Sequence, residues 1–219
     1  MVEALNNQLL PTKHKVPVCV NVVPPFYHAN SHQVLVGRTG RYISRTLMQL
    51  IRCTGKLQKE MGLKKADLSQ AEDQVGILGQ WHANLIHIDR KKCVLFVNDR
   101  TLSNFLVPDL PRSEIRKLGS IFYEWLAPVL FAEGYSEQQV GFVRSEYKEI
   151  EYAASNSRKI LGHIKDIAFH YEVNIHSAGG VHSPEIPEII KKLNRMPMNA
   201  SRECTWPYEE LKKVVEGAI

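Results

Sequence analysis

The stretch Trp81–Val107, WHANLIHIDRKKCVLFVNDRTLSNFLV, restricts the possible folds more than any other part of the chain. Its first segment, Trp81 to Ile88, is rich in residues that suit a pleated, half-buried surface. Alternation along a strand puts Trp81, Ala83, Leu85 and His87 on one side and His82, Asn84, Ile86 and Ile88 on the other. Asp89-Arg90-Lys91-Lys92 then interrupts the apolar pattern as a turn. Cys93 to Val97 is an unbroken apolar run, the pattern of a central strand covered on both faces. Asn98-Asp99-Arg100-Thr101 is a second turn, built from typical turn formers. Leu102 to Val107 is the third strand. It ends at Pro108, which has no N–H to give to a ladder. Links this short join antiparallel neighbours, because a parallel return needs about a dozen residues or more. The stretch therefore predicts a three-stranded antiparallel meander with Cys93–Val97 in the middle.

The rest of the chain is arranged around that meander. Residues 1–47 contain Pro11, Pro17, Pro24 and Pro25 and no sustained period of either regular structure. Their one apolar run, Val16–Val23, is demoted as a strand by Pro17. From Met48 the pattern changes. Gln49–Cys53 reads as a strand, Thr54 as the cap of a helix through Met61, and Gly62 as its left-handed terminator. Lys64 to Gly79 reads as a linker with a helical turn. After the meander, Pro111 opens a long helix to about Glu133, with Ile115, Leu118, Phe122, Trp125 and Val129 as its apolar stripe and Pro128 bending its end. Ser136 to Gln139 is a capping box for a short helix to Val143. Glu146–Ala153 alternates as a strand. Ser155 or Asn156 caps a second long helix through Ile175, a third starts at Ser183-Pro184, and a last one follows Trp206-Pro207. The expected fold is α+β: an antiparallel β-meander with helices packed mainly on one face. It forms a single domain over residues 48–216. Residues 1–47 are read either as a flexible N-terminal extension or as the product of a start upstream of Met48.

Charge and cysteines narrow the function. The net charge of +5 invites a nucleic-acid reading, but residues 1–47 hold five basic side chains and one acid, or +4. The remainder has 23 basic and 22 acidic residues, or +1, which is not the electrostatic footprint of a phosphate-backbone binder. No apolar run approaches the roughly 20 residues of a membrane span, and the N-terminus lacks the pattern of a secretory signal. Cys19, Cys53, Cys93 and Cys204 are far apart in sequence, so there is no C-x-x-C pair, and reduced thiols in the cytoplasm are the economical reading. Nothing matches a nucleophile elbow, a phosphate-cradling glycine loop or a dinucleotide fingerprint.

Three segments together carry a resemblance: Gly79-Gln80-Trp81-His82-Ala83-Asn84-Leu85, the run Cys93 to Leu102, and Ser155-Asn156-Ser157-Arg158-Lys159-Ile160-Leu161-Gly162. With their W-x-A-N-L, L-F-V-N-x-x-T-L and N-x-R-x-x-L-G patterns, residues 48–200 resemble a bacterial family known as a domain of unknown function. The resemblance implies a prokaryotic cytoplasmic domain and brings no catalytic residues with it.

Two candidate sites fall on the helix after Asn156. Ile160, Ile164, Ile167, Tyr171 and Ile175 share one face at about 100° per residue. Beside them His163, Asp166 and His170 stand on neighbouring turns as three possible metal ligands, with His176 and His182 just beyond. The bland reading of the same residues is the polar flank of an amphipathic helix. Asn156 and Arg158 form the second candidate, an anion site at the positive end of the helix dipole; its bland reading is capping beside a surface arginine. Trp81, His82, Asn84 and His87 are weighed as a pocket wall, Arg90–Lys92 and Lys191-Lys192 as phosphate contacts, and Arg195-Met196-Pro197-Met198 as an adaptable apolar surface. The expected function is a non-catalytic interaction domain binding another macromolecule, a protein or a nucleic acid. The alternatives are a metal-assisted hydrolase or nuclease using His163, Asp166 and His170, and a nucleic-acid-binding protein using residues 1–47, Arg90–Lys92 and Arg158. No cofactor is indicated.

Overall fold

A computed structural model describes residues 35–36, 42–43, 49–70, 78–147, 149–199 and 204–218. The Val16–Val23 run and most of the expected extension lie outside these residues. The chain divides into two compact units, Met1–Leu47 and Met48–Ile219. In the first, β1 (Leu35–Val36) pairs antiparallel with β2 (Tyr42–Ile43).

The second unit is built on a five-stranded sheet. Its strands are β3 (Gln49–Cys53), β4 (Trp81–Ile88), β5 (Lys91–Asn98), β6 (Asn104–Val107) and β7 (Ile150–Ala154), in the spatial order β6-β5-β4-β3-β7. The meander forms as its short turns require: β4 pairs antiparallel with β5, and β5 with β6. The sheet as a whole is not an antiparallel meander, however. It is mixed, because β3 runs parallel to both β4 and β7. The cause is the length of the connections. Residues 54–80 separate β3 from β4 and carry α1 (Gly55–Met61), long enough for the crossover that a parallel return requires. β7 arrives after three more helices, α2 (Arg112–Ile115), α3 (Leu118–Ala132) and α4 (Glu137–Ser145).

Helices cover both faces of the sheet, not mainly one. Trp81, Phe96, Phe105, Phe122 and Tyr147 form one aromatic cluster, with neighbouring ring centroids 4.9–5.8 Å apart, so α3 lies over the face that carries Phe105. On the adjacent residue, Asn104, Oδ1 accepts a 2.8 Å hydrogen bond from the Tyr171 hydroxyl of α5 (Arg158–Ser177). Successive strand residues point to opposite faces, so α5 covers the other side. The reason is the apolar run of β5. Every residue from Cys93 to Val97 is fully buried, and such a strand is stable only when roofed twice.

Local signals fix most element ends. Gly62 terminates α1 at φ +79°, a left-handed conformation that suits glycine. Ser136 and Gln139 form the expected capping box of α4. The helix expected from Pro111 to Glu133 is two helices, divided at Arg116-Lys117, and Pro128 lies inside α3, which runs on to Ala132. α6 (Ile186–Asn194) packs beside β6. There the Asn194 side chain accepts from the Asn104 N–H at 2.9 Å and donates to the Asn104 carbonyl at 2.8 Å. A side-chain amide thus takes the place of a sixth strand at the exposed edge. A two-stranded ribbon, β8 (Met198–Asn199) with β9 (Cys204–Thr205), precedes α7 (Pro207–Glu216).

Candidate functional site

α5 is where the sequence concentrates its candidate residues. The helix starts because Ser157, in an extended conformation, accepts a hydrogen bond from the Ile160 N–H at 3.3 Å. Ser157 is the cap, in place of the expected Ser155 or Asn156. Ile160, Ile164, Ile167, Tyr171 and Ile175 then form its buried face, as their spacing predicts.

Among the described residues, the polar stripe beside that face is not gathered into a metal-sized cluster. Asp166 is exposed, while His163 and His170 are half-buried at the margin of the helix. Burial lowers the pKa of His163, Lys159 lowers it further, and Asp166 opposes both. Among the described residues no three His, Cys, Asp or Glu side chains are grouped closely enough to hold a metal ion together. The two histidines that could have completed a set are held elsewhere. His176 Nδ1 lies 3.4 Å from Asp89 Oδ1 in the β4–β5 turn, and His182 Nε2 lies 3.3 Å from Asp109 Oδ2. The first contact ties the end of α5 to the β4–β5 turn, and the second ties the segment after α5 to the loop after β6.

Asn156 and Arg158 flank the cap and are both exposed. With Ser157 occupied by Ile160, they are positioned at the helix start, and their side chains make no hydrogen bond or ion pair among the described residues.

The proposed pocket wall on β4 divides between two faces. Trp81 belongs to the aromatic cluster and donates its indole N–H to the Tyr147 hydroxyl at 2.9 Å. His82 and Asn84 lie on the opposite side, where each ties β4 to a neighbour. His82 Nδ1 is 2.9 Å from Ser155 Oγ, just beyond β7, and Thr54 Oγ1 donates to Asn84 Oδ1 at 2.9 Å, just beyond β3. His82 is 1 % exposed, and burial, reinforced by the Arg52 guanidinium, pushes its pKa down to about 4. Arg52 in turn donates to Gln80 Oε1 and to the Ala154 carbonyl. The carboxyl ends of parallel strands are where open α/β sheets commonly bind ligands. Here the polar groups at those ends are engaged with one another.

Part of each basic cluster is likewise occupied. Lys91 pairs with Asp109 at 3.5 Å and Lys92 with Glu60 at 2.7 Å. Lys192 donates to Asn174 at 2.9 Å. Arg195, expected on an adaptable apolar surface, lies 2.6 Å from Glu133 Oε2, off the hydrogen-bonding direction, and 4.3 Å from the centre of the Tyr208 ring. Glu133 Oε1 has no partner, and burial raises the pKa of this carboxyl against the opposing pull of Arg195. The adjoining cavity, walled chiefly by Trp81, Phe105, Leu126, Val129, Leu130 and Leu211, holds only about 10 Å³.

What remains is the outward side of α5. Phe169 is 61 % exposed, Val173 is 47 % exposed one turn later, and Leu161 is 36 % exposed two turns before Phe169. At about 100° per residue, Phe169 and Val173 lie almost opposite Ile164, Ile167 and Tyr171, as far from the core as the helix allows. The signal was present in the sequence as two apolar residues on the wrong side of an otherwise regular stripe.

Residues 50–210 match the family described as Domain of unknown function (DUF6933). The chain belongs to that family. The match lies within the unit Met48–Ile219 and takes in all of the DUF6933 sheet except Gln49, and the whole of α5. No curated protein and no solved structure matches the chain. Among the described residues, no helix of the DUF6933 domain is long and apolar enough to cross a membrane.

Proposed function

We propose that this DUF6933 domain is a non-catalytic interaction domain of the prokaryotic cytoplasm, and that it binds another protein through the outward side of α5. The observation that carries this reading is the pair Phe169 and Val173, exposed one turn apart on a helix whose core-facing stripe is already complete without them. Fully burying a side chain of this size is worth about 1.5–3 kcal/mol, and the fold leaves most of that gain unused for Phe169. Single apolar residues on a surface are ordinary, but an adjacent aromatic–aliphatic pair at the crest of a long helix is the form of a recognition face.

The two alternative readings draw less support. A metal-assisted hydrolase needs ligands from more than one element, and His163, Asp166 and His170 gain none among the described residues. Nucleic-acid binding through Arg90–Lys92 competes with the ion pairs that already hold Lys91 and Lys92. Affinity capture from the native host with the full chain tests the proposal. Phe169→Asp and Val173→Asp should leave the circular dichroism and unfolding midpoint unchanged while weakening the captured interaction by about 30-fold or more, the loss typical of a central aromatic anchor. Capture that is indifferent to both substitutions would refute it.

A further inference from the structure

We infer that the partner of the outward side of α5 is a second copy of this chain, packed with its own α5 antiparallel about a two-fold axis near Phe169. The inference rests on the interaction reading above and adds the identity of the partner. Its basis is the disposition of charge about Phe169. Lys165 lies four residues before Phe169 and Glu172 three residues after it, and at about 100° per residue both fall on the same flank of the exposed line. Both side chains are exposed, and neither makes an ion pair among the described residues.

When two identical helices pair antiparallel about a two-fold axis, each flank meets the same flank of its mate, with the order of residues reversed. Centred on Phe169, this operation stacks Phe169 on its equivalent. It also brings Lys165 opposite Glu172 of the second copy, twice, once at each end of the contact. One helix face therefore supplies its own apolar centre and its own complementary charges, as an isologous contact requires. A contact made by one helix from each copy buries less than the roughly 800 Å² per partner of a standard interface, so the dimer is weak and exchanges with monomer.

Sedimentation analysis of the full chain from low to high micromolar concentration tests the inference. The expected result is a concentration-dependent rise from the 25.0 kDa monomer toward twice that mass. Phe169→Asp should hold the chain at monomer mass. Lys165→Glu should weaken the association by about 10-fold, since two like-charged contacts replace two attractive ones. Adding Glu172→Lys to Lys165→Glu should restore it, which a merely structural effect of either substitution would not do. A wild-type chain that stays at monomer mass at every concentration overturns the second-copy inference, and so does a double variant that fails to recover. If the chain is monomeric but Phe169→Asp abolishes capture of a different protein, only the identity of the partner falls. If Phe169→Asp changes neither measurement, the interaction reading falls with it.

Discussion

His82 shows how a residue that looks functional in sequence becomes structural once its surroundings are known. It is buried against β3 and β7, hydrogen-bonded to Ser155, with a pKa lowered from 6.5 to about 4. Between those two values the unfolded chain binds a proton that the folded chain refuses. Stability from this group is therefore complete above about pH 6.5 and is lost as pH falls through about 4. The separation corresponds to about 3 kcal/mol. His82→Gln, which keeps a polar side chain near Ser155 but cannot titrate, should lose most of that dependence when urea-unfolding midpoints are compared from pH 7 down to pH 4. Parallel curves for the two proteins would show that burial does not hold the ring neutral. The sequence made His82 visible as a polar residue in a strand. It could not reveal that Ser155, 73 residues away, would meet it. The pairing of Arg195 with Glu133 was hidden for the same reason, since only the packing of α3 against α6 brings the two together.

Among the elements, α5 divides most cleanly into what a sequence can and cannot disclose. Its inner face was legible because apolar residues at three- and four-residue spacing have one physical meaning. The metal stripe was illegible in the opposite sense: His163, Asp166 and His170 are neighbours on any helix, and only a second element could have turned neighbours into ligands. The outer face carries a further test. A Cβ added at Gly162 would meet nothing within 4 Å, and the residue is exposed inside a regular helix. Gly162→Ala should therefore raise stability by about 0.5–1 kcal/mol, through the backbone entropy that glycine loses on folding. Denaturant titration measures it, and a loss of stability would mean that the helix is constrained at this turn by a contact the fold described here lacks.

At the scale of the molecule, the meander was readable because short polar turns leave the chain no choice of neighbour. The parallel half of the sheet was not. The register Gln49↔Ile150 joins strands about a hundred residues apart in sequence, and nothing local in either segment names the other. One clue was available. An apolar run such as Cys93–Val97 needs cover on both faces, so helices on one side alone could never have completed this core. The result is a sheet roofed twice, in which α5 both closes one face and carries an apolar crest away from it. The direct test of that division of labour is a side-by-side comparison of Tyr171→Ala and Phe169→Ala, by urea unfolding at dilute concentration and by association with the partner. Tyr171→Ala should cost about 3–5 kcal/mol of stability, as expected for a large buried side chain that also loses its bond to Asn104. Phe169→Ala should change stability by less than about 0.5 kcal/mol and weaken association by about 30-fold. A Phe169→Ala protein that is strongly destabilised, or that associates as well as the parent, would contradict the account.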